Sequence, residues 1–295
     1  MQQAMKEWFL DILRAPDSAE PLAPTDDGRA LLASTGTFPV EEGVPSFVGQ
    51  ATDEAKAGFD YTAHYTTDAE EFDYFDEETD ALTAAHLRLL RHTVTGQVPA
   101  DARLLLDVGC GCAFVAERFV RQGRRVVSLD IARDNALKAV KQYPSDNHAA
   151  VVADAYHLPF ADGAFDCIIA SEIIEHTVSP QGFVASLLSK LRPGGTLVIS
   201  TPYKERIAYS LCIHCNCKTP HNAHLHSFDK EKMQRIVEPL DGDIASMRLV
   251  GNKLLLHSRL TMPVSHLGYG LWGGIDRVAN LLLPKAEHFV VTIRK

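Results

Sequence analysis

The sequence contains no uninterrupted apolar run of about 18 residues, the length that a membrane-spanning helix requires. Its first segment, MQQAMKEWFLDIL, carries Lys6, Glu7 and Asp11 among apolar positions and lacks the small-residue cleavage site of a secretory signal. No cysteine precedes Cys110, and the six cysteines do not form the pattern of a disulfide framework. We therefore expect a cytoplasmic protein with reduced thiols.

Basic residues are also scarce. The chain has 29 Lys and Arg against 38 Asp and Glu, which gives a formal net charge of −9. Binding a polyanion usually requires a basic face, so the composition argues against a nucleic-acid partner. The proportions of apolar and charged residues are otherwise those of an ordinary globular protein, and the length allows about two domains.

The chain divides into three regions. Residues 1–50 predict a small α+β unit with a helix over 6–14. Residues 51–80 combine aromatic side chains with many Asp and Glu, and we interpret them as a connector or lid near the mouth of the ligand site. Residues 81–295 begin with helical spacing over 81–94 and form the main domain.

Short apolar runs alternate with helical stretches in the main domain. The predicted strands are 104–106, 126–129, 149–152, 167–170, 196–200, 245–250 and 288–293, and the predicted helices are 113–121, 132–142, 181–191 and 230–240. Strands that are apolar at almost every position are typical of a parallel sheet covered by helices on both faces. The sequence therefore predicts a doubly wound α/β fold, with ligands at the carboxyl ends of the strands. The apolar stretch before 285 is expected to pack in the core or to supply a lid.

The clearest ligand signal is the segment LLLDVGCGCA at 104–113, where a predicted strand runs into Gly109 and Gly111 and a helix follows. Glycines there let the backbone turn tightly and approach a ligand closely. A dinucleotide-binding loop has a further glycine where this chain has Phe114, and Asp107 beside the loop would repel a pyrophosphate. The loop therefore favours a ligand that carries positive charge.

Acidic residues follow the next two strands. Asp130 comes directly after the strand 126–129, where a carboxylate can accept hydrogen bonds from both hydroxyls of a ribose. Asp154 follows the third strand, where it could accept from an adenine amine while the N–H of Ala155 donates to the ring. The alternative is that these residues are helix caps or loop carboxylates.

Five motifs in order, DVGCGCA, SLDIA, ADAYHLPFADGAFD, SEIIEH and LRPGGTLVIS, resemble those of the class I S-adenosylmethionine-dependent methyltransferases. The resemblance covers about residues 81–205 and implies a Rossmann-like, seven-stranded, mainly parallel sheet whose last strand is antiparallel. It implies S-adenosylmethionine as the cofactor. The residues expected to bind it are Asp107, Gly109, Gly111, Asp130, Ile131, Asp154, Ala155 and Ser171. One departure is Ala113, where the family usually has a third glycine.

Methyl transfer from a sulfonium depends mainly on holding the acceptor and the methyl group in line. A base is required only if the acceptor must lose its proton early. His176 is the first candidate for that base and Glu175 the second, although both could belong to a solvated turn. Further candidates are Tyr203 and three residues expected to fold over the cofactor, Tyr61, His64 and Tyr65.

A cysteine and histidine cluster lies at 212–226. The pair Cys212 and Cys215 is followed by His224 and His226, a spacing typical of zinc ligands, so we predict one structural zinc bound by these four residues. Cys217 and His221 are alternative ligands, and a metal-free reduced loop remains open. His224 also matches a histidine that many methyltransferases place near the acceptor pocket.

The N-terminal segments 13–22 and 38–47 resemble a small zinc-ribbon domain that precedes the catalytic fold in some bacterial ribosomal RNA methyltransferases. The metal-binding Cys-Pro-x-Cys of that domain reads Ala15-Pro16-Asp17-Ser18 here, so this copy lacks zinc ligands. The leading hypothesis is methylation of a small-molecule, glycan or lipid-precursor acceptor. An RNA methyltransferase is the alternative, and a non-catalytic cofactor-binding partner subunit is the third.

Overall fold

The computed structural model describes residues 5–48, 60–76 and 78–295. Its strands are β1 Ala23–Pro24, β2 Ala30–Ala33, β3 Gly36–Glu41, β4 Val44–Pro45, β5 Leu104–Val108, β6 Arg125–Asp130, β7 His148–Val152, β8 Phe165–Ser171, β9 Leu191–Pro202, β10 Tyr209–Leu211, β11 Lys218–Pro220, β12 Asp243–Asn252 and β13 Ala286–Arg294. Its α-helices are α1 Glu7–Leu10, α2 Tyr61–Glu71, α3 Ala81–Thr95, α4 Phe114–Phe119, α5 Arg133–Gln142, α6 Pro180–Lys190, α7 Lys230–Val237, α8 Lys253–His257, α9 Thr261–Ser265 and α10 Tyr269–Leu282.

A seven-stranded sheet forms the centre of the molecule, in the order β12-β13-β9-β8-β5-β6-β7. Strands β5 to β9 pair in parallel, whereas β13 is antiparallel to both of its neighbours, β9 and β12. The predicted fold class, a doubly wound and mainly parallel Rossmann-like sheet with an antiparallel last strand, is confirmed.

Local sequence explains where the helices around the sheet begin. Helix α3 starts after Asp80, whose carboxylate accepts a hydrogen bond from the N–H of Thr83 at 2.7 Å. Helix α6 starts after Ser179, whose hydroxyl accepts from the N–H of Gly182, and Pro180 occupies its first turn. Both arrangements satisfy amide groups that the helix itself leaves unpaired. The strands between them are buried, and every residue of β7 is inaccessible to solvent or nearly so.

The parallel register brings the ends of four strands to one edge of the sheet. Val108 of β5 lies beside Leu129 of β6 and Ala170 of β8, and Asp130 lies beside Val152 of β7. The loops that follow these strands therefore open at the same edge, where the sequence places its candidate ligand-binding residues.

The N-terminal residues pack against the main domain and share its core. Phe9, Leu13 and Phe38 belong to the same buried cluster as Phe160. The helix predicted over 6–14 was wrong beyond residue 10, because the chain turns there to form a bridge between Leu13 and Phe160. Strands β1 to β4 form a small antiparallel sheet. The likeness to a zinc ribbon stays a prediction.

The stretch between β12 and β13 differs from the expected core packing. It forms the short helices α8 and α9 and the longer α10, in which Trp272 is buried but Leu281 and Leu282 are 82% and 80% exposed. The side chains that α10 buries on its inner face include Asp276 and Asn280. No helix in the part of the chain that the structure describes is both long and apolar enough to cross a bilayer.

Candidate cofactor and acceptor site

A cavity of about 870 Å³ opens where β5, β6, β7 and β8 end. Seven of the eight residues expected to bind the cofactor line it: Gly109, Gly111, Asp130, Ile131, Asp154, Ala155 and Ser171. The eighth, Asp107, is buried on β5, two residues before the glycine loop. The structure thus brings the predicted set to one place, and its role in binding a cofactor stays a prediction.

The glycine loop needs backbone conformations that side chains disfavour. Gly109 has φ +65°, and a Cβ there would lie 2.7 Å from Cγ1 of Ile173. Gly111 and Ala113 also have positive φ, at +45° and +53°. A non-glycine residue in this region is strained by about 1–3 kcal/mol. The replacement of the third glycine by Ala113 therefore carries a conformational penalty in addition to one extra methyl group.

Asp130 holds the loop in place. Its carboxylate accepts hydrogen bonds from the N–H of Gly111 at 3.1 Å, the N–H of Ala132 at 2.9 Å and the side-chain amide of Asn135 at 3.4 Å. Burial raises its pKa, and the two backbone hydrogen bonds act against that rise. A carboxylate has about four acceptor positions, so this side chain has capacity for a ribose hydroxyl as well.

Asp107 is a buried carboxyl that a cationic ligand could stabilise. Its Oδ2 is fully buried and has no hydrogen-bond partner among the described residues. Burial raises the pKa of Asp107, and the nearby charge of Asp130 raises it further. An unpaired buried carboxyl is costly, and a ligand carrying an ammonium or sulfonium charge would relieve that cost. The residues present therefore fit the methionine part of S-adenosylmethionine.

Helix α2 covers the cavity from the N-terminal side. The hydroxyl of Tyr61 donates to Oδ2 of Asp154, while Oδ1 of Asp154 accepts from the N–H of Tyr156 at 2.9 Å. His64 and Tyr65 also line the cavity, as the sequence led us to expect. Tyr203 is buried behind the site, where its ring packs on Phe289, and does not line the cavity. Residues 51–59 and Glu77 of the proposed connector lie outside the described residues.

A group of ionisable side chains follows β8. The carboxylate of Glu172, a residue with φ +59°, accepts from the hydroxyl of Ser200 at 2.7 Å and lies 2.8 Å from Nδ1 of His288. Burial, the largest single influence, pushes the pKa of Glu172 up, but the charge and hydrogen bond of His288 together with the hydrogen bond from Ser200 make the net shift downward. Burial, the largest single influence, would lower the pKa of His288, but the charge and hydrogen bond of Glu172 and the charge of Glu287 together raise it. Sequence analysis missed His288, because only the pairing of β13 with β9 brings it here.

The two candidate bases lie in the turn that follows. Glu175 is 1% exposed and accepts from the hydroxyl of Thr201 at 3.0 Å. Burial raises its pKa well above the usual value, and the charge of Glu172 adds to this. Burial and the neighbouring His224 lower the pKa of His176 to about 4. His176 is therefore neutral near pH 7 and a weak base, so its catalytic role stays a prediction.

The predicted zinc ligands do not come together. The structure places Cys212 and Cys215 in or beside the hairpin of β10 and β11, with Cys215 exposed, whereas His224 lies against His176 with a ring separation of 4.8 Å. Within the described residues, the only group of three or more potential ligands is Glu175, His176 and His224, whose donor atoms lie within 4.8 Å of one another. The four-residue set Cys212, Cys215, His224 and His226 is not such a group, so the described residues give the zinc prediction no support, and the alternatives Cys217 and His221 are not in the group either.

The position of His224 follows from the packing of the chain after the hairpin of β10 and β11. The N–H groups of Leu225 and His226 donate to the carbonyl of Glu175, at 2.8 and 3.2 Å. Nδ1 of His224 lies 2.6 Å from the carboxylate of Glu205. These contacts turn His224 towards the cavity. Spacing within 212–226 could not reveal them, because they involve residues far away in the sequence.

Comparison with known proteins agrees with this geometry. Residues 106–199 match the family model of a methyltransferase domain. A ubiquinone biosynthesis O-methyltransferase from Parvibaculum lavamentivorans is 32% identical over 135 residues, which are 44% of this chain and 51% of that protein. The chain therefore spans about half the length of the curated relatives it matches.

Solved structures show the same fold at low sequence identity. A SAM-dependent methyltransferase from Aquifex aeolicus has a TM-score of 0.50 and 14% identity, over 78% of this chain and 97% of that one. A 4+2 cyclase has a TM-score of 0.53 and 18% identity, over 75% of this chain and 84% of that one. Since one fold serves different reactions, the chemistry must be argued from the site.

Proposed function

We propose that this chain is an S-adenosylmethionine-dependent methyltransferase whose acceptor is a small molecule, a glycan or a lipid precursor. The observation that carries the proposal is the buried Oδ2 of Asp107, which has no hydrogen-bond partner among the described residues and lies near the charge of Asp130, just before the glycine loop. That arrangement suits a ligand with a cationic end and a ribose. It lies within the segment that matches a methyltransferase domain.

The cofactor would supply a methyl group already activated on a sulfonium. The glycine loop and Asp107 hold its methionine part, Asp130 its ribose, and Asp154 with Ala155 its adenine. Helix α2 would cover the bound cofactor on one side, because Tyr61 and Tyr65 line the cavity there. Holding the acceptor in line with the methyl group is the main catalytic contribution that the chain must make.

The acceptor would enter beside the side chains that follow β8. Tyr65 has a buried hydroxyl with no hydrogen-bond partner among the described residues, and its ring lies 5.7 Å from that of His176. This hydroxyl can hold a polar group of the acceptor, most simply an oxygen. The named activity of the curated relatives, O-methylation in ubiquinone biosynthesis, supports a hydroxyl acceptor on a lipid precursor.

An RNA acceptor is less well supported. The cavity wall includes Asp68, and the chain carries a formal net charge of −9. A polyanion would be repelled, since phosphate binding needs clustered Lys and Arg. A cytoplasmic location and an acceptor that is not a nucleic acid stay predictions.

Methyl transfer should be measured with radiolabelled S-adenosylmethionine, offering phenolic and catechol acceptors, a lipid extract and total RNA in parallel at low salt. We expect saturable label in a small or lipid-soluble product and background label in RNA. Saturable labelling of RNA would replace the proposal with the RNA alternative. Binding of cofactor without transfer to any fraction would favour a non-catalytic subunit.

A further inference from the structure

We infer that Glu175, His176 and His224 form a binding site for a divalent first-row transition cation at the acceptor end of the cavity. One carboxylate oxygen and two imidazole nitrogens lie within 4.8 Å of one another. Two histidines and one carboxylate are a ligand set that zinc and other divalent transition ions use, with positions left open for a further ligand.

The contacts around the two histidines favour this role. Nδ1 of His224 faces the carboxylate of Glu205 at 2.6 Å, and Nδ1 of His176 faces the carbonyl of Ala223 at 3.4 Å. Each ring therefore uses Nδ1 for an oxygen acceptor, which leaves the lone pair on Nε2 for a cation. Metal-binding histidines almost always have such an acceptor on their other nitrogen, because it fixes the tautomer and the ring orientation.

The surroundings of Glu175 also favour a bound cation. Its side chain is 1% exposed and accepts a hydrogen bond from the neutral hydroxyl of Thr201. Its acidic neighbours Glu172 and Glu205 each lie against a histidine, His288 and His224, and supply no cation to Glu175. Buried carboxylates are normally paired or coordinate a metal. A divalent cation between Glu175 and the histidines would give this buried carboxylate a charged partner.

A role for this cation in activating the acceptor rests on the proposed function. Positive charge beside an acceptor hydroxyl lowers the pKa of that hydroxyl. The acceptor proton would leave to solvent, a carbon–oxygen bond would form as the carbon–sulfur bond breaks, and the cofactor sulfur would become a neutral thioether. This assignment removes the need for His176 to act as the base.

Cation binding can be measured without methyl transfer. Protein stripped with a chelator should bind one Co²⁺ per chain, with the visible absorption of a nitrogen-coordinated ion, and Mn²⁺ or Zn²⁺ should compete. His224→Ala and His176→Ala should weaken binding by at least about 100-fold, since even changes behind the ligands cost about 10–100-fold. Binding of S-adenosylhomocysteine by the same variants shows that they are folded.

Variants of the two cysteines distinguish this site from the zinc site that the spacing in 212–226 predicted. Cys212→Ser and Cys215→Ser should bind Co²⁺ as the unchanged protein does. Loss of the ion in these variants, with binding retained in His224→Ala, would overturn the inference, and so would the absence of stoichiometric binding to the unchanged protein. If Co²⁺ binds as expected but S-adenosylhomocysteine does not bind, the proposed function fails while the cation site stands.

A separate observation carries a second proposal: we propose that the segment 253–285 docks on an anionic phospholipid bilayer. Helix α10 buries two polar side chains and exposes many apolar ones, the reverse of the usual pattern of a surface helix. It buries Asp276, which accepts from the N–H groups of Gly251 and Asn252 at 3.0 and 2.7 Å. Exposed apolar side chains lie along α10 and along the two shorter helices and turns before it: Leu254, Leu260, Leu267, Leu271, Ile275, Val278, Leu281 and Leu282.

The basic residues of the segment favour an anionic membrane as the partner of this apolar surface. The segment contains four Lys and Arg residues and one acidic residue, the buried Asp276, so it is positive in a chain whose net charge is −9. Arg259, Arg277 and Lys285 are exposed. An exposed apolar face flanked by basic residues is typical of helices that lie in the interface of anionic membranes. The segment also packs on α3, where Tyr269 stacks on His92 at 4.1 Å, and the same helix contributes Leu90 to the cavity.

Vesicle flotation tests whether the segment 253–285 binds an anionic bilayer. The protein should float with vesicles that contain phosphatidylglycerol at least about tenfold more strongly than with phosphatidylcholine vesicles, because each exposed cation adds to the attraction. The double variant Leu281→Glu and Leu282→Glu should stay in solution, whereas Leu32→Glu, an exposed leucine on the N-terminal sheet, should float normally. A dimer in light scattering that the double variant abolishes, without any flotation, would assign the surface to a second copy of the chain and overturn the proposal.

Discussion

Replacing Asp130 with Ala is expected to weaken binding of S-adenosylhomocysteine by about 100-fold. The change removes a charged acceptor for the ribose, and hydrogen bonds to a charged group contribute about 1.5–3 kcal/mol each. It also leaves the N–H groups of Gly111 and Ala132 without their partner, so the glycine loop loses its support. Isothermal titration calorimetry with the product measures the affinity directly.

Two controls make this result specific. Asp130→Asn keeps an oxygen in the same place without the charge, so we expect an intermediate loss of about tenfold. Asp241→Ala changes an exposed carboxylate elsewhere and should leave the affinity unchanged. Unaltered affinity in Asp130→Ala would remove Asp130 from the cofactor site and, with it, the main support for a ribose-containing ligand.

Gly109→Ala is expected to lower the free energy of unfolding by about 2–6 kcal/mol and to abolish measurable cofactor binding. The new methyl group would overlap Ile173, and the backbone at φ +65° disfavours any side chain. The steric overlap and the backbone strain each contribute about 1–3 kcal/mol. Chemical denaturation, monitored by fluorescence, gives the stability change.

Another glycine in the same domain provides the matched control. Gly123 has φ +75°, but a Cβ there would meet nothing within 4 Å. Gly123→Ala should therefore show the backbone strain alone, about 1–3 kcal/mol. In an Ile173→Ala background, Gly109→Ala should fall to a similar value, because the overlapping atoms are gone. If the penalty at Gly109 persists in that background, packing against Ile173 is not its cause.

The parts of the fold that sequence could predict are those set by local pattern. Runs such as 126–129 are apolar at every position but one and have no other stable use than a strand covered on both faces. The turn at Gly109 and the acidic residue at the end of β6 follow from the same local order of strand, loop and helix. These features also locate the part of the cavity where we propose that the cofactor binds.

The parts that sequence missed depend on distant partners. His288 meets Glu172 because β13 inserts beside β9, and no nearby residue signals this. His224 leaves its neighbouring cysteines because Glu175 and Glu205 hold its segment. Helix α10 was unpredicted because its buried face is polar, which reverses the pattern that indicates a surface helix. The acceptor side of the cavity is built from such contacts.

The N-terminal packing means that the folding unit is wider than the segment that matches a methyltransferase domain. The N–H of Phe47 donates to the carbonyl of Val152 at 2.8 Å, so the N-terminal unit extends the hydrogen bonding of β7. The carbonyl of Ile12 accepts from the N–H of Ala161 at 2.9 Å, which anchors the loop after the adenine-side residues. A shortened chain starting near residue 60 would lose both supports and expose Phe160. A fragment without residues 5–48 would therefore have a weakened cavity wall on this side.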